Sequence, residues 1–357
     1  ADEFKKRGKI VIMGGFLPTM HPEEVTDHVD AICIGEGDTV WAQMLEDIEN
    51  DCLKKVYKAD NQIKLDAMPV PRYDLIKKDR MVIYPIQATR GCPFTCDYCS
   101  IIQFFEKTYR YRPIDDIIRD IKAANNKFIH FTDDNLMENT KFSKELFQKM
   151  KGMDLIWGSQ VTINVAKDEE MLRMAYDAGC RYLAVGVESL SQKNLNGVSK
   201  GFNHVDEFAT AFKRIQDIGI GVHALIVFGF PEDTPETFEQ TVKYLEDHGI
   251  PIAEFFIFIP YPKTPAGKRV WDAGNIIDTD LNHFRETFVV FKHPTMSSEE
   301  IVQGYWRAMK KFYSLKSIFK RMKAGSFRDK PYHFASNLYY WAKVKRGIIP
   351  VYFGKGN

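Results

Sequence analysis

The stretch Met81-Val82-Ile83-Tyr84-Pro85-Ile86-Gln87-Ala88-Thr89-Arg90-Gly91-Cys92-Pro93-Phe94-Thr95-Cys96-Asp97-Tyr98-Cys99-Ser100 runs from a strand-like segment straight into three closely spaced cysteines. Its first part predicts a strand over 82–89. Downstream, strands over 128–132, 155–161, 182–187, 222–228 and 254–259 alternate with amphipathic helices over 113–125, 139–150, 168–178, 204–218 and 235–248. Six successive βα units predict an α/β fold built on a parallel barrel or partial barrel, with its chemistry at the C-terminal ends of the strands. The cysteines stand at the first of those ends.

Their spacing is Cys-x3-Cys-x2-Cys, on one loop. Three thiolates so placed can face one edge of an iron–sulfur cluster and leave its fourth iron without a protein ligand. A structural zinc would want a fourth Cys or His at matching distance, and Cys33, Cys52 and Cys180 sit alone in unrelated contexts. Six cysteines in 357 residues, three of them between 92 and 99, do not read as a disulfide framework and fit a reducing compartment.

Upstream, 9–15 and 29–35 read as short buried strands ending in glycine turns, with helical patterns following over 22–25 and 39–49. Residues 1–60 thus predict a piece of a parallel doubly wound sheet. A polar linker with Pro69 and Pro71 is expected over 61–80, the barrel over 81–285, and a helical segment over 286–357.

That last segment is strongly basic. Residues 301–357 carry thirteen Lys and Arg against the single acid Asp329, whereas the whole chain is nearly balanced at +1. Phe312, Leu315, Phe319 and Met322 recur at helical spacing there, among Lys310, Lys311, Lys316, Lys320, Arg321 and Lys323. Such a stripe can be core or can lie on an anionic bilayer. No apolar run reaches about 18 residues, and the N-terminus lacks the apolar stretch of a secretory signal. The expected location is the cytoplasm; the basic C-terminal segment reads either as a solvated helical appendix or as a peripheral contact with a membrane.

Cys92-x3-Cys96-x2-Cys99 after a first barrel strand, with Tyr98 before the last cysteine, resembles the signature of the radical S-adenosylmethionine (SAM) superfamily. The resemblance implies a [4Fe–4S] cluster on Cys92, Cys96 and Cys99, with SAM chelating the open iron and yielding a 5′-deoxyadenosyl radical on reduction. It implies SAM contacts along the strand ends. Tyr98 would lie beside the adenine, and Asp133, Asp134 and Asn135 would present acceptors to the methionine ammonium. Gln160 ends the third strand, and Glu188 would accept from the ribose hydroxyls. Val227 and Gly229 would let the adenine approach the backbone. Ile259 opens a Pro-x-Pro-Gly-Thr-Pro-like turn in which Lys263 replaces the usual glycine.

Gly14, Gly15 and Gly35, with Pro22-Glu23-Glu24 and Glu36-Gly37, are similar to the second half of a cobalamin-binding Rossmann-like domain. In that subgroup the domain precedes the radical barrel, and its members act on hopanoids, tetraether lipids and tetrapyrroles. The first half of the domain has no counterpart before residue 9. The resemblance implies cobalamin-dependent methylation of an unactivated carbon in a lipid or isoprenoid-like substrate, with a flavodoxin or ferredoxin as reductant. Cobalamin-independent cyclisation or carbon–carbon coupling is the alternative. A tRNA-modifying enzyme and a simple electron carrier are weaker ones. Nucleic acid is not expected as a partner, because no all-β run follows the barrel, and an electron carrier leaves Asp133, Asp134 and Glu188 without purpose.

Overall fold

A computed structural model of the chain describes residues 1–59, 63–76, 81–285 and 287–349. Positions 60–62 and 77–80 of the expected linker, Glu286 and residues 350–357 lie outside it. The N-terminal part holds a three-stranded parallel sheet, β1 (Ile12–Met13), β2 (Ala31–Ile34) and β3 (Val56–Lys58), in that order. Strand β3 lies where no strand was expected. Its short Val-Tyr-Lys run shows little pattern, but Tyr57 packs with Ala31, Cys33 and Met44, and its hydroxyl donates to Asp47 at 2.5 Å.

The rest is built on a six-stranded parallel sheet of β4 (Tyr84–Ile86), β7 (Phe128–Phe131), β8 (Ile156–Val161), β9 (Cys180–Glu188), β10 (Gly221–Phe228) and β11 (Ile252–Ile257). Its order is β11-β10-β9-β8-β7-β4, so β4 and β11 are its edges and the expected partial barrel is an open one. Helices between the strands bury one stripe each. In Pro235–Asp247, Phe238, Val242 and Leu245 are buried, while Thr234 closes a capping box at its start and a proline opens its first turn. Each such side chain contributes roughly 1.5–3 kcal/mol on burial. One continuous core runs from Tyr84 through Trp157 and Phe228 to Tyr340.

The predicted strand over 82–89 is broken in two, and the cause lies 45 residues downstream. The ladder from β4 to β7 stops where the Thr132 amide donates to Ile86 O. Beyond it the amides of Ala88 and Thr89 turn to the Asp133 carboxylate. The chain therefore leaves the sheet and forms β5 (Thr89–Gly91), which pairs antiparallel with β6 (Tyr109–Tyr111).

The C-terminal helices Ser298–Phe312, Leu315–Ala324 and Lys330–Lys345 pack onto the sheet and its helices. Here the place of one expected surface cation needs correcting. Phe312 and Met322 are buried, and Arg321, expected among the surface cations, is fully buried. Its guanidinium donates to Ile250 O at 3.0 Å, Phe312 O at 2.8 Å and Asn337 Oδ1 at 2.9 Å, and to Pro251 O. With Ser317 Oγ, which accepts from Arg321 Nε at 3.3 Å, five acceptors explain how a cation tolerates that site. Lys311 and Lys320 pair with Glu239 and Asp247, so only Leu315 and Phe319 of the stripe face solvent. No helix among the described residues is long and apolar enough to cross a membrane.

Candidate active site at the strand ends

Gly91 closes the β5–β6 ribbon immediately before the first cysteine. Its φ is +83°, and a Cβ there would stand 2.0 Å from Thr108 O, so only glycine fits. The loop that follows is pinned along its length. Phe94 stacks on Phe202 with ring centroids 4.1 Å apart, and the Asp97 amide donates to Val198 O at 3.2 Å. Arg269 pairs with Asp97 at 2.7 Å, and the Ala266 amide donates to Asp97 O at 2.9 Å.

Cys96 is buried and Cys92 and Cys99 are half-buried. Burial pushes the Cys96 thiol up to about 12 and the Cys99 thiol to about 11, and raises Cys92 as well. Thiols in such surroundings ionise when a metal takes the sulfur. Among the described residues no three Cys, His, Asp or Glu side chains converge to hold one metal ion. A cluster asks for something else, since each thiolate takes a separate iron and the sulfurs stand farther apart than ligands sharing one ion. Three thiols on one pinned loop fit that requirement.

The remaining strand ends surround the loop. Asp133 is buried, and its carboxylate accepts from the Ala88 amide at 3.1 Å and from Thr89 Oγ1 at 2.6 Å, besides the Thr89 amide. Burial still pushes it up to about 7. It ties the chain that leaves β4 to the end of β7. Asp134 is half-buried, with Oδ2 accepting from the Gly91 amide at 3.2 Å, and burial pushes it up to about 6. Asn135 Nδ2 lies 3.9 Å from Cys92 Sγ and 3.3 Å from Glu138 Oε2, which brings the second strand end against the loop. Gln160 is exposed at the end of β8.

Glu188 ends β9 at an irregularity. The register with β10 shifts by one residue there, and Glu188 adopts φ +64°, a left-handed conformation that a glutamate rarely takes. The bulge re-aims its side chain onto Lys200 Nζ, 2.6 Å away, which itself lies 3.4 Å from the Tyr98 hydroxyl. Tyr98 meets Phe230 edge-on at 5.9 Å. At the end of β10, Asp233 accepts from the Gly229 and Phe230 amides at 2.8 and 3.2 Å and from Asn194 Nδ2 at 2.9 Å. Gly229 has φ +93°, and the space where its Cβ would stand is closed by Phe291 at 3.1 Å. Val227 and Ile259 are half-buried on the two neighbouring strand ends.

Lys200 and Asp233 escaped the sequence reading. Neither carries a local signal, since a lysine after a short helix and an aspartate before another look like ordinary surface residues. Of the three N-terminal glycines, Gly15 (φ +90°) alone has open space where a Cβ would stand; Gly14 is packed on Cys33 and Gly35 on Ala59. Between the helix Phe16–Met20 and the loop after β11 lies a cavity of about 190 Å³. It is lined by Phe16, Leu17, Met20 and Phe284 with Lys263, and it reaches Ser100, the neighbour of Cys99.

Residues 86–245 match the sequence profile of the Radical SAM superfamily. The chain is 27% identical over 332 residues to a bacteriochlorophyllide d C-12(1)-methyltransferase of Chlorobaculum tepidum, covering 90% of this chain and 72% of that one. It is 26% identical over 337 residues to a hopanoid C-2 methylase of Rhodopseudomonas palustris, covering 90% of this chain and 63% of that one. In fold it is similar to the radical SAM methyltransferase TsrM of Kitasatospora setae, solved with cobalamin and a [4Fe–4S] cluster. The TM-score is 0.67 at 14% identity, over 95% of this chain and 82% of that one. Open parallel sheet, pinned cysteine loop and sequence profile agree, and residues 86–245 are the radical SAM domain of an enzyme.

Proposed function

We propose that this chain transfers a methyl group to an apolar substrate by radical chemistry. The observation that carries the reading is the apolar cavity beside Ser100, because a substrate must lie next to the cysteine loop to be attacked. Few polar groups among apolar walls suit an apolar molecule. Bacteriochlorophyllides and hopanoids, named in the relatives, are largely of that kind. At about 190 Å³ the cavity is smaller than sites that enclose a whole drug-sized ligand, so the substrate enters by one edge.

When bound, the [4Fe–4S] cluster supplies the electron that splits SAM into methionine and a 5′-deoxyadenosyl radical. The protein's part is to hold and orient. Asp134 and Asn135 would take the methionine ammonium, and Lys200 its carboxylate. Glu188 would accept from the ribose, and Tyr98, Val227, Gly229 and Ile259 would wall the adenine. Gln160 is free to reach the same ligand from β8. Asp133 acts on the strand end and not on the ligand.

Cobalamin enters this reading from TsrM, and Gly15 offers it a place where backbone can be approached. The enzyme also needs a reductant, for which flavodoxin or ferredoxin is proposed. Leu315 and Phe319, exposed beside Lys316 and Lys323, are the proposed contact with an anionic membrane, to be checked by co-sedimentation with anionic vesicles.

The test is anaerobic reconstitution with iron and sulfide, then dithionite and SAM with a pigment or lipid extract, with and without methylcobalamin. Formation of 5′-deoxyadenosine together with a product in which a methyl group replaces one hydrogen, a net gain of CH2, dependent on methylcobalamin, is expected. Product of unchanged carbon count would replace methyl transfer by cyclisation, and product carrying the carbons of two substrates would replace it by coupling.

A further inference from the structure

In the β5–β6 ribbon, Arg90 stands directly opposite Arg110. Two like charges facing each other across an antiparallel pair are destabilising. Both are also largely out of water, with side chains 11% and 19% exposed, so screening does little for them. A ribbon with this sequence needs an anion between the two guanidinium groups.

That anion comes from the N-terminal sheet. Gly35, at φ +85°, turns the chain at the end of β2, and the next residue is Glu36. Its Oε1 accepts from Arg90 Nη1 at 3.1 Å and from Arg110 Nη2 at 2.8 Å, and its Oε2 accepts from Arg110 Nη1 at 2.9 Å. The Glu36 side chain is only 6% exposed. Asp38 adds a contact to Arg90 at 2.7 Å, and Gln87 accepts from Arg90 Nε at 3.0 Å. Two cations and two carboxylates balance.

The ribbon leads directly to the site. Gly91 follows Arg90, its amide donates to Asp134, and Cys92 comes next. We infer that Glu36 is a positioning residue for the cluster: by bridging Arg90 and Arg110 it fixes the ribbon that aims Cys92 and Asp134. The N-terminal sheet thereby helps to build the cluster site. This rests on the reading of Cys92 as a cluster ligand.

The test uses the full chain, reconstituted anaerobically, with cluster loss to an excess of an iron chelator followed by absorbance and by EPR of the reduced cluster. E36Q keeps the shape and removes the charge. It should release the cluster about tenfold faster than wild type and change the EPR signal seen with SAM, a coupling within the range for contacting residues. The double variant E36Q/R110Q removes the facing charge as well and should return towards wild-type release. D38N, which leaves the Glu36 bridge in place, should fall between wild type and E36Q. Far-UV circular dichroism separates a loosened loop from an unfolded chain. Release at the wild-type rate from folded E36Q, or a double variant no better than the single one, overturns the inference. Failure of the wild-type chain to take up any cluster would instead overturn the ligand reading.

Discussion

Lys200 Nζ stands 2.6 Å from Glu188 Oε1, and both side chains are buried against Tyr98. Removing one partner of a buried pair leaves the other charge uncompensated, typically at a cost of about 3–5 kcal/mol. K200M should therefore melt lower than wild type. It should also bind SAM more weakly, if the lysine meets the methionine carboxylate. The conservative K200R keeps the charge and should recover part of the affinity. Equilibrium dialysis of SAM against the reconstituted protein measures this; undiminished affinity in folded K200M would remove Lys200 from the SAM site.

Neighbouring aspartates should give opposite phenotypes. Asp133 takes two backbone amides and the Thr89 hydroxyl, so D133A leaves buried donors unmet, each worth about 1–3 kcal/mol. Loss of stability and of cluster together is expected. D134A gives up a single half-buried hydrogen bond to Gly91 and should keep the fold and the cluster while losing SAM affinity. Thermal melts beside SAM titrations separate the two, and equal phenotypes would mean that the ends of β4 and β7 have been assigned the wrong roles.

Much of this site was legible because its signals are local. The cysteine spacing lies within eight residues, and the strands and helices show their periods in short windows. What stayed hidden depends on partners far along the chain. Nothing near 82–89 announces that Asp133 will draw the Ala88 and Thr89 amides off the sheet. Lys200 becomes a site residue only through Glu188 and Tyr98, and Arg321 is core only because Ile250, Pro251, Phe312, Ser317 and Asn337 offer it acceptors. The stripe from Phe312 to Met322 has the same period whether it faces core or bilayer, so periodicity alone could not decide between them.

Two glycines at positive φ separate steric need from backbone strain. In G91A the new Cβ would meet Thr108 O at 2.0 Å, which only displacement of the ribbon relieves. The variant should fail to hold a cluster. In G15A the Cβ meets nothing within 4 Å, and only the backbone is penalised, at φ +90° and ψ −154° in a region nearly confined to glycine, by about 1–3 kcal/mol. It should fold and take up cluster normally, as read by absorbance after reconstitution. Equal cluster loading in G91A and wild type would show that the ribbon's close approach does not set the loop.

The histidines of the sheet interior set a pH limit on stability. His130 lies with Nδ1 2.7 Å from the Tyr182 hydroxyl, Tyr182 stacks on His223 at 4.5 Å, and His223 meets His333 edge-on at 5.6 Å. His333 comes from the helix Lys330–Lys345, and its ring fills the space left by Gly221. Burial lowers His130 and His333 from 6.5 to about 4, and it also holds His223 well below the usual value. Above pH 6.5 these rings are neutral folded or unfolded, and stability is at its full value. As the pH falls towards 4 the unfolded chain takes up protons that the folded one refuses, so stability is lost across that window, on the order of 3 kcal/mol for each ring shifted this far. Buried Asp133, Asp134 and Asp233 are raised instead and act in the opposite sense over part of the same range. Comparing wild type with H333F cancels their contribution, since phenylalanine has similar bulk and no proton to bind. The melting temperature of wild type should fall more between pH 7 and pH 5 than that of H333F, and parallel curves would show that His333 takes up its proton as readily in the folded chain as in the unfolded one.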